Sequence, residues 1–289
     1  MAPPPAPGPP DGPDAFGSES LAAEVRRRRI AAVVDERDFV RVADLSSHFG
    51  TSEVTIRNDL THLARRGVLR RVHGGAVKGA PRLERAFEET EGSHAEEKQL
   101  IAREAAALVC SGESLFLDVG TTVTALARAL LDRREELHDV VVFTNALNIA
   151  VLLEAGIPRF SVVVTGGTLR PLQHSLVDPL ADLMFERVHA SVAFVGCNGV
   201  HADAGVTNHN LPEAEVKRRM LARAERRVVV ADGSKIGEVT LARLCDVTDV
   251  DLVMTGASAD PEAVGQLRER GTEVRIAGEP EATPPDRAA

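Results

Sequence analysis

From residue 95 onward, short apolar runs alternate with longer stretches of helical composition, and this alternation restricts the possible folds more than any other feature. Six runs have the length and the Val, Phe and Leu content of buried strands; they begin at residues 114, 140, 159, 191, 227 and 251. Five helical stretches lie before, between or after them, at residues 95–109, 120–131, 146–156, 211–224 and 260–271. Continuous apolar strands separated by helices are typical of a mainly parallel sheet covered on both faces. The sequence therefore predicts an α/β domain over residues 95–277.

Charge is spread unevenly along the 289 residues. The whole chain has a formal net charge of -9, but residues 21–82 carry about +6 and the remainder about -15. This asymmetry suggests a small basic module attached to a larger acidic one, and the length is sufficient for two domains with separate cores. Uneven surface charge without any partner is the alternative interpretation.

The basic module has the pattern of three short helices followed by a hairpin. Residues 21–34 have helix-forming composition, and in residues 40–49 and 53–66 apolar side chains recur every three or four positions. Gly50 interrupts the pattern, Ser52 is a suitable N-cap for the third helix, and Gly67 ends that helix. Two apolar runs around a Gly-Gly turn then suit a β-hairpin wing. The pattern predicts a winged helix-turn-helix over residues 21–78.

The third helix has a polar side opposite Ile56 that suits the major groove of DNA. Arg and Asn can bond guanine and adenine bidentately, and Val or Thr methyl groups can contact thymine. Hydroxyls and backbone N–H groups at the helix start, and basic residues on the wing, can bind phosphates. A solvated amphipathic helix is the alternative, but the turn and the wing favour DNA binding. The predicted DNA-contacting residues are Thr51, Ser52, Val54, Thr55, Arg57, Asn58, Thr61, Arg70, Arg71 and His73.

Polar residues follow several strands of the predicted sheet. Gly120, Thr121 and Thr122 lie between a strand and a helix start, where backbone N–H groups and hydroxyls suit a phosphate, although a plain helix cap has the same residues. The segment lacks the spacing of a P-loop or of a dinucleotide-binding motif. Residues 144–145, 165–167 and 196–199 follow other strands. Each is individually a turn, but together they favour one pocket at the carboxyl ends of the strands.

Three charged residues are further candidates for this pocket, and each also has an ordinary structural interpretation. Glu213 and Lys217 lie at the start of a predicted helix, either facing the pocket or forming an ordinary surface ion pair at i, i+4. Lys235 follows a strand, where its ammonium group could meet a phosphate or sugar oxygen, or could be solvated in a loop.

Two segments resemble a known family. Residues 29–77, which include VADLSSHFGTSEVTIRNDLTHLARRGVLRRVHGGAV, resemble the DeoR-type helix-turn-helix, except that Asn58 replaces a second Arg. This departure suggests a different base preference. Residues 97–256, with FLDVGTTVTALA, AFVGCNGV, GVTNHNLPEAEVKRRM and VVVADGSKIG, resemble the sensor domain of DeoR-type regulators. That domain shares its fold with ribose-5-phosphate isomerase and CoA transferases.

The resemblance implies a DNA-binding regulator whose effector is a phosphorylated sugar. The phosphate would contact Gly120, Thr121 and Thr122, and the carbon chain would lie near the polar strand ends. The implied effector-site residues are Asp118, Gly120, Thr121, Thr122, Asn145, Gly166, Gly167, Glu213, Lys217 and Lys235. The function expected is repression of a sugar catabolic operon, relieved by the sugar phosphate, in a homodimer or homotetramer on operator DNA. No catalytic residue, metal or cofactor is expected.

Two other functions agree with the same sequence features. One is a sugar-phosphate isomerase with an appended DNA-binding module, in which Asp118 or Glu213 would move the proton. The other is a DNA-binding protein whose larger domain only holds subunits together.

The remaining features bound the chain. Residues 1–20 and 278–289 are predicted to be disordered tails, and residues 79–94 a linker. Three widely spaced Cys residues suit a reducing cytoplasm better than disulfides or a zinc site. No apolar stretch approaches the ~20 residues of a membrane helix, and the N-terminus lacks the pattern of a secretory signal. Since there is no Trp or Tyr, a bound sugar would be held by charged and amide groups without such a stacking platform.

Overall fold

Two compact units divide the chain, residues 1–83 and 84–289. The computed structural model describes residues 23, 25–27, 29–34, 37, 39–65, 69–72, 74–78 and 86–279. The predicted tail 1–20 lies outside the described residues, as do residues 280–289 of the other predicted tail. At the start of that second tail, the N–H of Gly278 donates to Glu104 at 2.7 Å.

In its described residues the first unit has three helices and a small antiparallel sheet, so the predicted winged helix-turn-helix is confirmed. Its elements are α1 (helical at residues 25–27 and 29–34), β1 (Phe39–Arg41), α2 (Val42–Phe49), α3 (Glu53–Arg65), β2 (Leu69–Val72) and β3 (Gly75–Lys78). The apolar positions recognised in the sequence form the core, where Ile30, Leu45, Ile56 and Leu60 are essentially fully buried. Gly50 ends α2 in the left-handed conformation, with φ of 60°, and so makes the turn.

Strand β1 was not predicted, and it adds a third strand to the wing in the order β1-β3-β2. It is only three residues long, which is too short for its alternation to be recognised. The pairing of β1 with β3 requires Gly75, since a Cβ atom there would lie 2.2 Å from the carbonyl oxygen of Val40.

A seven-stranded parallel sheet organises the second unit. In chain order the strands of this unit are β4 (Ser114–Leu117), β5 (Val140–Thr144), β6 (Phe160–Val164), β7 (Thr168–Arg170), β8 (Ser175–Val177), β9 (Ala190–Val195), β10 (Gly199–His201), β11 (Gly205–Asn208), β12 (Ala224–Val230), β13 (Ala242–Cys245), β14 (Leu252–Thr255) and β15 (Val274–Ile276). The main sheet has the order β15-β14-β12-β9-β4-β5-β6. Its neighbouring strands pair in parallel throughout. The predicted α/β fold is therefore confirmed, with β15 as an additional strand.

Helices cover the two faces of this sheet and bury two apolar clusters. They are α4 (Phe87–Glu91), α5 (Ala95–Ala107), α6 (Thr121–Asp132), α7 (Leu147–Leu153), α8 (Ala181–Phe185), α9 (Leu211–Ala222) and α10 (Pro261–Glu269). One cluster contains side chains of α5, α6 and α7, such as Ile101 and Ile149. The other contains side chains of α8, α9 and α10, such as Phe185 and Leu267.

Strand β4 is where the strand order changes direction. After β4 the chain forms β5 and β6 on one side, and then β9, β12, β14 and β15 on the other side. In open α/β sheets a crevice forms outside the carboxyl ends of the strands at such a point, and ligands bind there. The polar residues after β4 and its neighbours are therefore brought to one edge.

Two small sheets, β7-β8 and β10-β11-β13, were not predicted. Their strands of three or four residues are too short to give a periodic signal.

The predicted linker 79–94 differs in its described part, since residues 87–91 form α4. Phe87 is buried there, and its N–H donates to the carbonyl oxygen of Leu172 at 2.9 Å. A single Phe in a polar stretch carries no periodicity, so its packing was not recognisable from the sequence. Residues 79–85 lie outside the described residues.

Among the residues that the structure describes, no helix combines the length and the apolarity required to cross a lipid bilayer.

Candidate functional site

Helix α3 presents the polar face that the sequence predicted. Val54, Arg57 and Asn58 are exposed, whereas Ile56 and Leu60 are buried in the core of the first unit. Thr51, Thr55 and Thr61 are partly exposed, and Ser52 is exposed. The structure thus brings these predicted residues to one accessible side of α3 and the turn before it.

Ser52 caps α3, as the sequence suggested. Its Oγ accepts the N–H of Thr55 at 3.1 Å, and the two hydroxyl oxygens lie 2.9 Å apart. The turn before it is fixed by Ser46, whose hydroxyl donates to the carbonyl oxygen of Thr51 at 2.6 Å. These bonds fix the helix start in the position where its free N–H groups can meet a phosphate.

The wing is joined to α3 by a side-chain hydrogen bond. Arg71 donates to Oγ1 of Thr61 at 2.8 Å, and that hydroxyl donates to the carbonyl oxygen of Arg57 at 2.7 Å. Arg57 also pairs with Glu53 at 2.6 Å, an exposed i, i+4 pair that contributes little and can open for DNA. Of the predicted wing residues, His73 and the side chain of Arg70 lie outside the described residues.

Asp59 was missed by sequence reasoning. It is buried on α3, and its two carboxylate oxygens accept from Nε of Arg26 at 2.7 Å and from Nε of Arg27 at 2.8 Å. Two of the four consecutive arginines therefore fasten α1 to α3. A signal was present, because Asp59 is three residues after Ile56 and four before Leu63, on the buried side of the helix.

In the second unit, Asp118 connects β4, β9 and α9. It follows β4 and is fully buried, with Oδ2 accepting the N–H of Gly196 at 3.1 Å and a hydrogen bond from Nζ of Lys217. Lys217 is also buried and donates to the carbonyl oxygen of Gly196 at 3.0 Å. Burial raises the pKa of Asp118 to about 6, and the nearby ammonium of Lys217 partly opposes that rise.

Glu213 is held by the β7-β8 hairpin. Its backbone N–H donates to Asn210, the N-cap of α9, at 3.1 Å. Its Oε1 accepts the hydroxyl of Ser175 at 2.6 Å and a hydrogen bond from the guanidinium of Arg170. Glu213 and Lys217 are thus both buried with other partners, and the surface-pair interpretation is wrong.

Arg170 and Ser175 were not anticipated. They lie on strands of three residues each, and Arg170 is 43 residues before Glu213. The sequence contains no local signal that pairs them.

Three buried oxygens at the ends of β4, β5 and β6 have no hydrogen-bond partner within the described part of the chain. They are Oδ1 of Asp118, Oδ1 of Asn145 and Oγ1 of Thr165. Asn145 is otherwise fixed, because its carbonyl oxygen accepts the N–H of Leu176 at 2.8 Å and its Nδ2 donates back at 3.3 Å. The three strands are neighbours, so these oxygens line one side of the crevice at β4.

Helix α6 begins at this crevice without a side-chain cap. Gly120 is its N-cap with φ of 126°, a conformation suited to Gly. Thr121 is partly exposed and Thr122 is buried. The first-turn N–H groups therefore have no side-chain acceptor, as in α4, α5, α7 and α8, whereas α9 and α10 are capped by Asn210 and Asp260.

Gly166 and Gly167 have a structural explanation. A Cβ at Gly167 would lie 2.2 Å from the carbonyl oxygen of Val177, and one at Gly166 would lie 3.1 Å from Cβ of Leu180. Gly167 is needed for the close approach that starts the β7-β8 hairpin, and Gly166 packs tightly against Leu180. They lie at the correct edge of the sheet, but packing alone accounts for them.

Lys235 lies in a 3₁₀ turn after β12, and a second lysine is near it. Lys98 is buried on α5, and its Nζ donates to the carbonyl oxygen of Thr90 at 2.9 Å. Burial lowers the pKa of Lys98, the ammonium of Lys235 lowers it further, and Asp232 opposes both effects. Sequence reasoning missed Lys98, although it extends the buried stripe of Ile101, Ala102 and Ala105 at helical spacing.

One group of residues has the composition of metal ligands. Atoms of His94, Glu97 and Asp232 lie within 4.8 Å of one another. Oε1 of Glu97 accepts from the N–H and hydroxyl of Ser258 at 3.0 and 2.8 Å, and the ammonium group of Lys98 acts on both carboxylates. Since hydrogen bonds and a cation already stabilise these carboxylates, we assign no metal to them.

Comparisons with known proteins match both units. Residues 26–80 match the DeoR-like helix-turn-helix domain, and residues 93–257 match the DeoR C terminal sensor domain. The HTH-type transcriptional regulator GlpR of Haloferax volcanii is 33% identical, over 88% of this chain and 97% of that protein. The glycerol-3-phosphate regulon repressor of Escherichia coli K12 is 28% identical, over 80% of this chain and 90% of that protein.

Among solved structures, the full-length sorbitol operon regulator SorC of Klebsiella pneumoniae aligns with a TM-score of 0.37 at 12% identity, over 83% of this chain and 97% of that chain. Ribose 5-phosphate isomerase A of Methanocaldococcus jannaschii aligns with a TM-score of 0.38 at 20% identity, over 52% of this chain and 56% of that chain. The sensor-domain match alone spans more than half of the sequence, and GlpR matches over nearly its whole length. The chain therefore belongs to the DeoR family of transcriptional regulators.

Proposed function

We propose that this regulator represses a carbohydrate catabolic operon and that a phosphorylated sugar, bound in the second unit, lowers its affinity for operator DNA. The exposed side of α3 would read bases in the major groove, and the wing would contact the phosphate backbone. One relative is a glycerol-3-phosphate regulon repressor, which supports repression and a phosphorylated ligand.

One observation carries the effector proposal: unpartnered buried oxygens lie beside an uncapped helix N-terminus. Leaving a buried polar atom without a hydrogen bond costs about 1–3 kcal/mol. Sugar hydroxyls can donate to Asp118, Asn145 and Thr165, so a polyol chain would remove that cost. The phosphate would then accept from the first-turn N–H groups of α6 at Gly120, Thr121 and Thr122.

Lysine side chains would complete the charge balance. Lys217 already neutralises Asp118, and Arg170 already neutralises Glu213. Lys98 and Lys235 repel one another, but the carboxylates of Asp232, Glu97 and Glu91 already compensate the charge of Lys98, so Lys235 is the lysine that would contact the ligand. Strand β12 is two strand spacings from β4, about 10 Å, so one ligand can reach from α6 towards Lys235.

The test is a thermal-shift screen of phosphorylated sugars and polyols on the full chain, with the unphosphorylated compounds alongside. A ligand at ~100 times its dissociation constant should add ~2.7 kcal/mol to stability. The best compound is then added to the protein on operator DNA in a gel shift, where we expect release. A phosphorylated sugar that stabilises the protein without changing DNA binding would contradict the proposal.

Thr122→Val removes one hydroxyl of the proposed phosphate site while preserving shape. We expect it to weaken the thermal shift and to leave operator binding unchanged in the absence of ligand. Thr248→Val is the matched control, because Thr248 is exposed and lies just before β14, at the amino end of that strand. If no phosphorylated sugar shifts the melting temperature while DNA binding is normal, the second unit acts only in assembly.

An isomerase activity has no specific support in the geometry. The two carboxylates suggested for proton transfer, Asp118 and Glu213, each accept a hydrogen bond from a neighbouring cation. Measured turnover of ribose 5-phosphate far above the uncatalysed rate would restore that alternative.

A further inference from the structure

Strand β6 forms one edge of the parallel sheet, and within the described part of the chain no further strand pairs with it. Its sequence, Phe-Ser-Val-Val-Val, has high β-propensity and no charge, and β5 is its only partner among the described strands. The opposite edge, β15, is three residues long and carries Arg275, whose Nε lies 2.7 Å from Glu273. Proteins normally protect edge strands by shortness, charge or a covering element. By that criterion, β15 is protected and β6 is open.

One face of the sheet is also incompletely covered at β6. Phe160 and Val162 pack on the cluster beneath α7, together with Val142 of β5. On the opposite face, Ser161 is exposed and Val163 is 38% exposed. Strands of parallel sheets are normally buried on both faces. Val164, the last residue of β6, is 40% exposed as well, and two exposed valines on one strand are unusual in a chain that acts alone.

We propose that β6 pairs with β6 of a second copy of this chain in antiparallel fashion, which continues the sheet from one subunit into the other. The edge is uncharged and self-complementary, since antiparallel pairing about a two-fold axis satisfies the free N–H and C=O groups of both strands. If Val162 lies on the axis, Ser161 of each copy lies opposite Val163 of the other. Because β6 carries no charge, two copies of it do not repel each other electrostatically.

A second reason indicates that the partner of the β6 edge is another copy of this chain, and it rests on the proposed function. Helix-turn-helix repressors read paired half-sites about one helical turn apart, so two copies must be held together. Effector binding changes DNA affinity only through a free-energy difference between two states of the protein, and two arrangements of the copies would supply such states. A self-association face next to the effector site meets that requirement.

The β7-β8 hairpin connects this face with the effector site. Arg170 bonds Glu213 on one side of β7, while the preceding residue, Leu169, projects to the opposite side and is 49% exposed. Leu180 is also exposed and lies against Gly166, two residues beyond β6. A ligand that exchanges the contacts of Arg170 would therefore act on the hairpin that follows β6 along the chain.

The experiment measures the mass of the full chain by light scattering after gel filtration. Val163→Lys and Ser161→Lys place a charge on the edge, and Ser161 is exposed, so its substitution leaves the core unchanged. Leu241→Lys is the matched control, because Leu241 is 66% exposed and lies beside β13, away from the main sheet. We expect both edge variants, and not the control, to contain half as many chains per particle as the wild type.

Operator binding gives a second readout. Loss of one half-site contact should weaken operator affinity by about 100-fold or more in the edge variants. An unchanged mass in both edge variants, or a monomeric wild type, would overturn the proposal. If Val163→Lys fails to fold, as judged by circular dichroism, Ser161→Lys decides the result.

Failure of the β6 pairing and failure of the effector proposal give different results in these measurements. A dissociated Ser161→Lys variant that still gains melting temperature with a sugar phosphate would show an intact effector site and a lost interface. If no sugar phosphate stabilises the wild type, the effector proposal fails, while the mass measurement still decides the role of β6.

Discussion

Lys217→Met tests how the sensor unit tolerates a buried carboxylate. Asp118 is fully buried and Lys217 nearly so, and the substitution leaves the carboxylate with backbone N–H partners such as that of Gly196 but without its cation. Breaking a buried ion pair by removing one partner costs about 3–5 kcal/mol. For a unit of this size, each kcal/mol lowers the melting temperature by about 2–4 °C, so we expect a decrease of about 6–20 °C near neutral pH.

The pH dependence has a definite sign. The pKa of Asp118 is about 6 in the folded chain, above its ordinary value of 3.8, so the folded state binds its proton more tightly than the unfolded state. Ionised Asp118 therefore destabilises the fold at neutral pH, and that cost is lost as the pH falls through about 6 towards about 4. Lys217→Met removes the opposing cation and raises the pKa further, at ~1.4 kcal/mol per unit. The deficit of the variant should thus shrink as the pH is lowered from 8 to 5.

Urea unfolding at pH 5, 6, 7 and 8 measures this deficit, with far-ultraviolet circular dichroism as the signal because the chain has no Trp or Tyr. Arg218→Met is the control, since Arg218 is the next residue on α9 and is partly exposed. Asp118→Asn combined with Lys217→Met removes both charges and should recover much of the lost stability. Parallel stability curves for Lys217→Met and the wild type from pH 5 to 8 would refute the assignment of a buried charge to Asp118.

Three further predictions concern the first unit. Asp59→Ala should destabilise this unit by about 1–3 kcal/mol, because Arg26 and Arg27 lose their shared acceptor, and it should also weaken operator binding. The control Asp44→Ala, on α2, should have neither effect in the same melting and gel-shift assays. Asn58→Arg should change the operator sequences selected from a random pool, and an unchanged selection would remove Asn58 from the base-reading residues. Operator affinity measured by fluorescence anisotropy should fall steeply between ~50 and ~200 mM salt despite the acidic chain, and a flat dependence would contradict backbone contacts by the basic module.

The main sheet was predictable because its strands are long enough to show a pattern. Six of the seven strands coincide with apolar runs of at least four residues, and a polar turn lies at the carboxyl end of each run. The seventh, β15, has three residues and an Arg at its centre, so it resembles a loop in the sequence. The same limit explains why β1 and the β7-β8 hairpin were missed, since such short strands form only where partners are already in place.

The candidate site was predictable in its positions but not in its partners. Strand ends identified Asp118 and Asn145, because topology brings the carboxyl ends of parallel strands to one edge. Lys217 is 99 residues from Asp118, so the ion pair depends on the packing of α9 against β9. The i, i+4 rule assumed a solvated helix face and therefore assigned Lys217 to Glu213. The rule takes no account of burial, and in the buried site Lys217 pairs with Asp118 while Glu213 pairs with Arg170.

The charge distribution now has a physical interpretation. The chain outside residues 21–82 carries about -15, so an anionic ligand approaches an unfavourable surface. Within the crevice, Lys217 and Arg170 each cancel one carboxylate, whereas the carboxylates of Asp232, Glu97 and Glu91 all act on Lys98. The two buried ion pairs are therefore what allow carboxylates of this acidic unit to accept sugar hydroxyls beside a phosphate. Removing Lys217 or Arg170 would leave one carboxylate without its cation, and this should weaken a phosphorylated ligand more than its unphosphorylated counterpart, because only the former carries a negative charge that the exposed carboxylate repels.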